Sequence, residues 1–135
     1  MPKPPLPSVA TQLLAKPNPA VIATAHGHQP VSVATRFLCE NGRILVNMDE
    51  GRKRLEYIRE NPLVSLTVLD VDDWYTHVSV RGRIVELAND PDMANIDRIS
   101  RHYTGRPYRV RDRGRVSGWI EIEQWNGFGR LATAA

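Results

Sequence analysis

Cysteine is nearly absent from this chain: Cys39 is the only one in 135 residues. That excludes a disulfide framework and a cysteine metal cluster. No apolar run approaches the roughly 20 residues that cross a bilayer. The opening "MPKPPLPSV" lacks the apolar h-region of a secretory signal. A soluble cytoplasmic protein with no membrane partner is therefore expected. Aromatic residues make up only 7% of the chain and are not interleaved with its basic clusters, which argues against a nucleic-acid reader built on base stacking. There is no G-x-S-x-G elbow, no H-E-x-x-H and no G-x-G-x-x-G fingerprint. Serine hydrolysis and zinc hydrolysis thus have little to stand on, and a Rossmann nicotinamide site is not expected.

What is present is ordinary in bulk, with 41% hydrophobic and 24% charged residues, enough for one domain with a real core. The net charge of +3 hides an uneven basic tilt. Arg106, Arg109, Arg111, Arg113 and Arg115 crowd one segment, and Arg52, Lys53 and Arg54 form a second cluster. Such clusters suit an anionic ligand or form a solvated face. His26 and His28 stand two apart in "HGHQP", where a polar turn is the simpler reading than a metal pair, and no metal site is expected.

Five of the ten prolines fall before residue 18, so residues 1–7 are read as a disordered, proline-rich leader, 8–130 as one domain and 131–135 as a tail. Helical spacing after Ser8 predicts a helix over 8–16. Strands are predicted at 19–25, 31–38, 43–48, 63–69, 74–87 and 115–125, from β-branched runs and alternation. "ENG" at 40–42 predicts a tight turn. Gly82 inside a strand predicts a bulge or bend. Asp90 is expected to cap a helix over 91–103, with Pro91 in its first turn. Hairpin-length links make the sheet mainly antiparallel, and six strands with few helices favour a small closed or partly open barrel.

The remaining helix, 51–61, poses the chemical question. Its first turn holds Arg52, Lys53 and Arg54, where the helix dipole disfavours cations. Orphan N–H groups at a helix start bind anions, and arginines there add charge-assisted hydrogen bonds. An anion held at that point offsets the unfavourable placement. The alternative is that the arginines reach outward and Lys53 pairs with Glu50 or Glu56.

Taken in order, "AVIATA", "VSVATRF", "ENGRILVNMDEGRKRLEYIRENPLVSLTVLD" and "HVSVRGRIVEL" resemble the flavin/deazaflavin split-barrel superfamily named after pyridoxamine phosphate oxidase. "RHYTGRPY" and the spacing through "ENPLVSLTVLD" look most like the actinobacterial coenzyme F-420-dependent oxidoreductases. The likeness spans residues 9–125. It implies a mainly β, six-stranded FMN-binding-type split barrel that forms a homodimer with two cofactor sites at the interface. It further implies that the cofactor ring lies against Val31, Ser32, Val33, Ala34 and Thr35 and against Val46, Asn47 and Met48. Arg52 and Arg54 take the two phosphate positions, with Lys53 between them toward the acidic tail of the cofactor. Trp74 and Tyr75, with His77 nearby, are implied as contacts from the partner subunit.

The implied cofactor is coenzyme F-420, with FMN as the alternative, and the implied activity is hydride transfer to a small conjugated or heterocyclic substrate. An FMN-dependent oxidase or reductase and a non-catalytic binder of the cofactor remain as competing readings. The loop from Arg106 to Arg115 offers the anionic tail of F-420 a place to lie. No catalytic residue follows from the sequence. Tyr75, His77 and Tyr103 are proton-donor candidates only by chemical type.

Overall fold

The computed structural model describes residues 2–134, with side chains described as far as Leu131. Helix α1 (Ser8–Ala15) leads into strands β1 (Ala20–His26), β2 (Gln29–Thr35), β3 (Leu38–Glu40) and β4 (Arg43–Asp49). Helix α2 (Lys53–Glu60), strands β5 (Leu63–Asp70) and β6 (Asp73–Asn89), helix α3 (Ala94–Thr104) and strand β7 (Arg115–Phe128) follow, closed by a 3-10 helix over Gly129–Ala134. The seven strands form one antiparallel sheet in the order β2-β1-β5-β6-β7-β4-β3. Its two edges, β2 and β3, are consecutive in sequence and joined by Arg36 and Phe37 alone. The sheet must therefore curl until its edges meet at that corner, while staying unpaired elsewhere. That is a split barrel.

The strand expected over 31–38 thus breaks in two, and the count rises from six to seven. Phe37 explains the break: it turns inward to 0% exposure, and its N–H faces the Tyr103 hydroxyl instead of a neighbouring strand. Around it lie Ile22, Ile44, Val46, Leu66, Val68, Val78, Val80 and Ile120, all buried. The β3–β4 turn uses Asn41 and Gly42 at φ 53° and 74°, the paired positive angles of a type I′ hairpin. Gly82 sits at a register shift between β6 and β7, and a Cβ there would lie 2.0 Å from the Glu121 carbonyl oxygen. The α3 start differs from expectation. Residues 91–93 form a turn, and the Asp90 carboxylate instead reaches forward to the N–H groups of Asn95 (3.1 Å) and Ile96 (3.0 Å). In the leader, Pro2 accepts from the Trp125 N–H at 3.0 Å and Leu6 packs on the core. Of the expected tail, Ala135 lies outside the described residues.

Candidate anion-binding cleft

Helix α2 begins two residues later than its sequence implies. Arg52 is the N-cap, in extended conformation, so Lys53 and Arg54 are the first two helical residues. Arg52 caps nothing with its side chain. Its Nε donates to Asp49 Oδ2 at 3.3 Å, and the side chain stays 61% exposed. Lys53 points outward and lies 3.6 Å from Glu56, the pairing expected of a solvated face. Arg54 behaves differently. It folds inward, donates to the Asn47 carbonyl at 3.3 Å, and leaves its Nε buried with no hydrogen-bond partner. Burial, then the neighbouring Arg52 and Arg115, push its guanidinium down to about 10. A desolvated cation with an orphan donor is a poor structural element and a good anion receptor.

These side chains surround a cleft of about 410 Å³ lined by Val31, Val33, Ala34, Asn47, Met48, Asp49, Arg52, Lys53, Arg54, Tyr57 and Arg115. Its walls are edge strand β2, the end of β4 and the start of α2. Most of the implied cofactor contacts are therefore brought together. Val46 is not: it is wholly buried in the barrel core. Ser32 is exposed on β2 outside the cleft, and Thr35 lines a separate apolar recess with Pro17, Pro19, Val71 and Tyr103. Trp74 (73% exposed) and Tyr75 (58% exposed) stand at the start of β6 and do not line this cleft within one chain.

Three lining residues, Asp49, Tyr57 and Arg115, were not among the expected ones. Arg115, counted with the basic loop but also expected as the first residue of the last strand, is the first residue of β7, paired with Asp49 on β4. It is 7% exposed. Its Nε donates to Asn47 Oδ1 at 2.7 Å and its terminal nitrogen to Asp49 Oδ1. Its guanidinium lies 4.7 Å from the Tyr108 ring centroid. Asn47 is fully used in turn, with its Nδ2 donating to Asp90 Oδ2 (3.2 Å) and Ser117 Oγ (3.1 Å). The Asn47 side chain thus fastens β4 to Ser117 on β7 and to Asp90, the residue whose carboxylate caps α3. Tyr57 presents its ring to the cleft and stacks on His26 at 4.6 Å.

The arginine loop carries less free charge than its sequence suggests. Arg111 forms a two-pronged pair with Asp97 (2.9 and 3.2 Å), and Arg113 binds Asp112 and approaches Asp49. Only Arg106 and Arg109 of the five lack an acidic partner among the described residues. Tyr103 is removed from the proton-donor candidates. Its hydroxyl donates to the Asn18 carbonyl at 2.7 Å and accepts from the Phe37 N–H, and burial pushes it up to about 12.

Residues 6–129 match the pyridoxamine 5'-phosphate oxidase family. The chain belongs to that family. Among solved structures, an F420 reductase superposes with a TM-score of 0.83 at 22% identity, covering 90% of this chain and 98% of that one. A conserved hypothetical protein of Mycobacterium tuberculosis follows the fold with a TM-score of 0.73 at 19% identity, over 98% of this chain and 90% of its own. A FAD-binding protein of Mesorhizobium loti gives 0.64 at 21% identity, over 89% and 92%. At these identities the likeness fixes the split-barrel fold. Among curated proteins none matches the sequence. No helix among the described residues is long and apolar enough to cross a membrane.

Proposed function

We propose that this family member is an oxidoreductase that holds the phosphate of a flavin-type cofactor, in our reading the deazaflavin coenzyme F-420, at the start of α2. The observation that carries the reading is Arg54, a part-buried guanidinium whose buried Nε has no hydrogen-bond partner, at the head of a helix. Arg52, on the same turn, is exposed enough to leave Asp49 for a ligand. The cleft beside them is bounded by Val31, Val33 and Ala34 on one side and by Met48 on the other. Those apolar surfaces suit a flat ring, and the cations suit its phosphate. When bound, such a cofactor supplies hydride-transfer chemistry, and the chain's task is orientation and charge. Arg54 and Arg52 anchor the phosphate, Arg115 and Asn47 lock the floor of the cleft, and Trp74 and Tyr75 of a second copy close the ring side in a homodimer. F-420 is favoured over FMN by the likeness to an F420 reductase and by Arg106 and Arg109, which remain available to an acidic tail. The acceptor is a small conjugated or heterocyclic molecule.

Fluorescence titration of the purified protein with F-420 and with FMN tests this. F-420 is expected to bind, and Arg52→Ala with Arg54→Ala to abolish that binding while the thermal midpoint moves little. Micromolar binding of FMN with none of F-420 would assign the flavin instead. Normal binding by the double variant would remove the phosphate assignment.

A further inference from the structure

Edge strand β2 runs on past the proposed cofactor cleft, and Ala34 lines both that cleft and the apolar recess beyond it. Val33 borders the first and Thr35 the second, two residues and about 7 Å apart along the strand. The recess measures about 440 Å³, the size of a small-molecule site. Pro17, Pro19, Val71 and Tyr103 form its other walls. Asn18, buried between the two prolines, holds those walls in place. Its carbonyl accepts from the Tyr103 hydroxyl at 2.7 Å, and its Oδ1 accepts from the Val71 N–H at 3.1 Å. Its Nδ2 donates to the Leu13 carbonyl at 2.9 Å, which ties the corner to α1. The recess is therefore formed before any ligand arrives, which lowers the entropy cost of filling it.

Its polar side chains are engaged elsewhere, with one exception. The Tyr103 hydroxyl is taken by Asn18 and Phe37, and the Thr35 hydroxyl donates to the Arg36 carbonyl at 3.0 Å. The exception is the Arg36 guanidinium, which lies 5.3 Å from the Tyr103 ring centroid at the mouth of the recess. No acid lines the recess among the described residues. Glu40, the acid nearest Arg36 in the chain, pairs with Arg98, and Asp70, beside Val71, pairs with Arg130. The recess thus offers apolar walls and one uncompensated cation. Apolar walls favour an apolar body, and a guanidinium fork over an aromatic ring matches a planar carboxylate. We infer that the recess is the acceptor subsite and takes an apolar carboxylic acid, with its carboxylate on Arg36. The inference rests on the proposed cofactor cleft and gives the acceptor its chemical class.

The test uses cinnamate, a planar conjugated acid, and cinnamamide, its uncharged counterpart of nearly the same shape. Ligand-observed NMR titration of the full chain without cofactor should give cinnamate an affinity about tenfold above that of cinnamamide. Arg36→Met should bring the two within about twofold by weakening cinnamate alone. Arg36 is exposed, so that variant is expected to fold. Arg36→Lys, which keeps the charge without the fork, should restore part of the difference. With F-420 at saturation cinnamate should still bind, because cleft and recess share only Ala34 among their described lining residues. Equal affinity for acid and amide in the wild type overturns the inference, as does an acid preference that survives Arg36→Met. Displacement of cinnamate by F-420 also overturns it, because the recess would then belong to the cofactor site. A second copy seated on the recess would leave neither probe bound, and that too overturns it. In each of these cases F-420 can still bind, so the cofactor reading stands. Cinnamate bound through Arg36 with no binding of F-420 overturns the cofactor cleft, and the acceptor role with it.

Discussion

Arg54 and Arg115 are the same residue type in one cleft, yet the structure gives them opposite tasks. Arg115 is buried with its donors satisfied by Asn47 and Asp49, and removing it strands a carboxylate and an amide oxygen. Breaking a buried pair in this way costs about 2–4 kcal/mol. Arg54 is desolvated with an orphan Nε, so replacing it with a thioether of similar reach relieves a strained cation. Urea denaturation of Arg115→Met should therefore show a loss in that range. Arg54→Met should be unchanged or more stable by up to about 1 kcal/mol, while losing its affinity for a phosphate ligand. Equal destabilisation of the two would mean that Arg54 is a structural residue. None of this contrast was readable from "EGRKRLE" and "RVRDRGRVSG", because a run of arginines does not say which of them turns inward. Arg115 is identified by the pairing of β7 with β4, a contact across 66 residues between Asp49 and Arg115.

Local elements were far more legible than long-range contacts. The Asn41-Gly42 turn, the bulge at Gly82 and the stop of α2 before Pro62 follow from backbone rules acting over a few residues. The α3 start was misplaced because its cap comes from Asp90, several residues upstream across a turn. The loop after α3 was read as free charge because its partner, Asp97, lies on a helix face that sequence alone does not aim. Asp97 accepts from the Tyr108 N–H (2.9 Å) and from Arg111, and so seats Tyr108 against Arg115. The Arg111 hydrogen bond, first among several causes, holds the Asp97 carboxyl below the usual carboxylate range. A carboxyl whose folded value is depressed stabilises the fold above its unfolded value and loses that contribution as pH falls through the folded one. The stability difference between wild type and Asp97→Asn should thus be constant from pH 7 to about 5 and shrink below about pH 4. A gap that persists undiminished into that acid range would show that the latch acts through packing and not through the ionised pair.

At the scale of the whole molecule, one barrel leaves unfinished surfaces that point the same way. Edge strand β2 has Val33 42% exposed, and the opening of β6 shows Trp74 and Tyr75 to solvent. Phe128 is exposed beside them, edge-on to Tyr75 at 5.6 Å and stacked with His77 at 5.4 Å. Single exposed apolar residues are normal, but contiguous aromatic surface marks an interface. Tyrosine and tryptophan are also the residues that interfaces favour. A second copy laid there would cover the aromatic cluster and bring Trp74 and Tyr75 toward a cleft that, in one chain, has cations at its head and Tyr57 as the one aromatic among its described lining residues. Light scattering should then give twice the 15.2 kDa chain mass. Trp74→Asp should halve that mass and weaken F-420 binding at least tenfold, because burying an unpaired carboxylate in an interface core outweighs what a truncation alone would lose. The circular dichroism of the variant should stay that of a folded barrel, since Trp74 is 73% exposed and is not a member of its own chain's hydrophobic cluster. A variant that remains dimeric and binds normally would place the interface elsewhere. One that becomes monomeric yet binds normally would confine the cofactor site to a single chain, so mass and affinity must fall together for the shared site to stand.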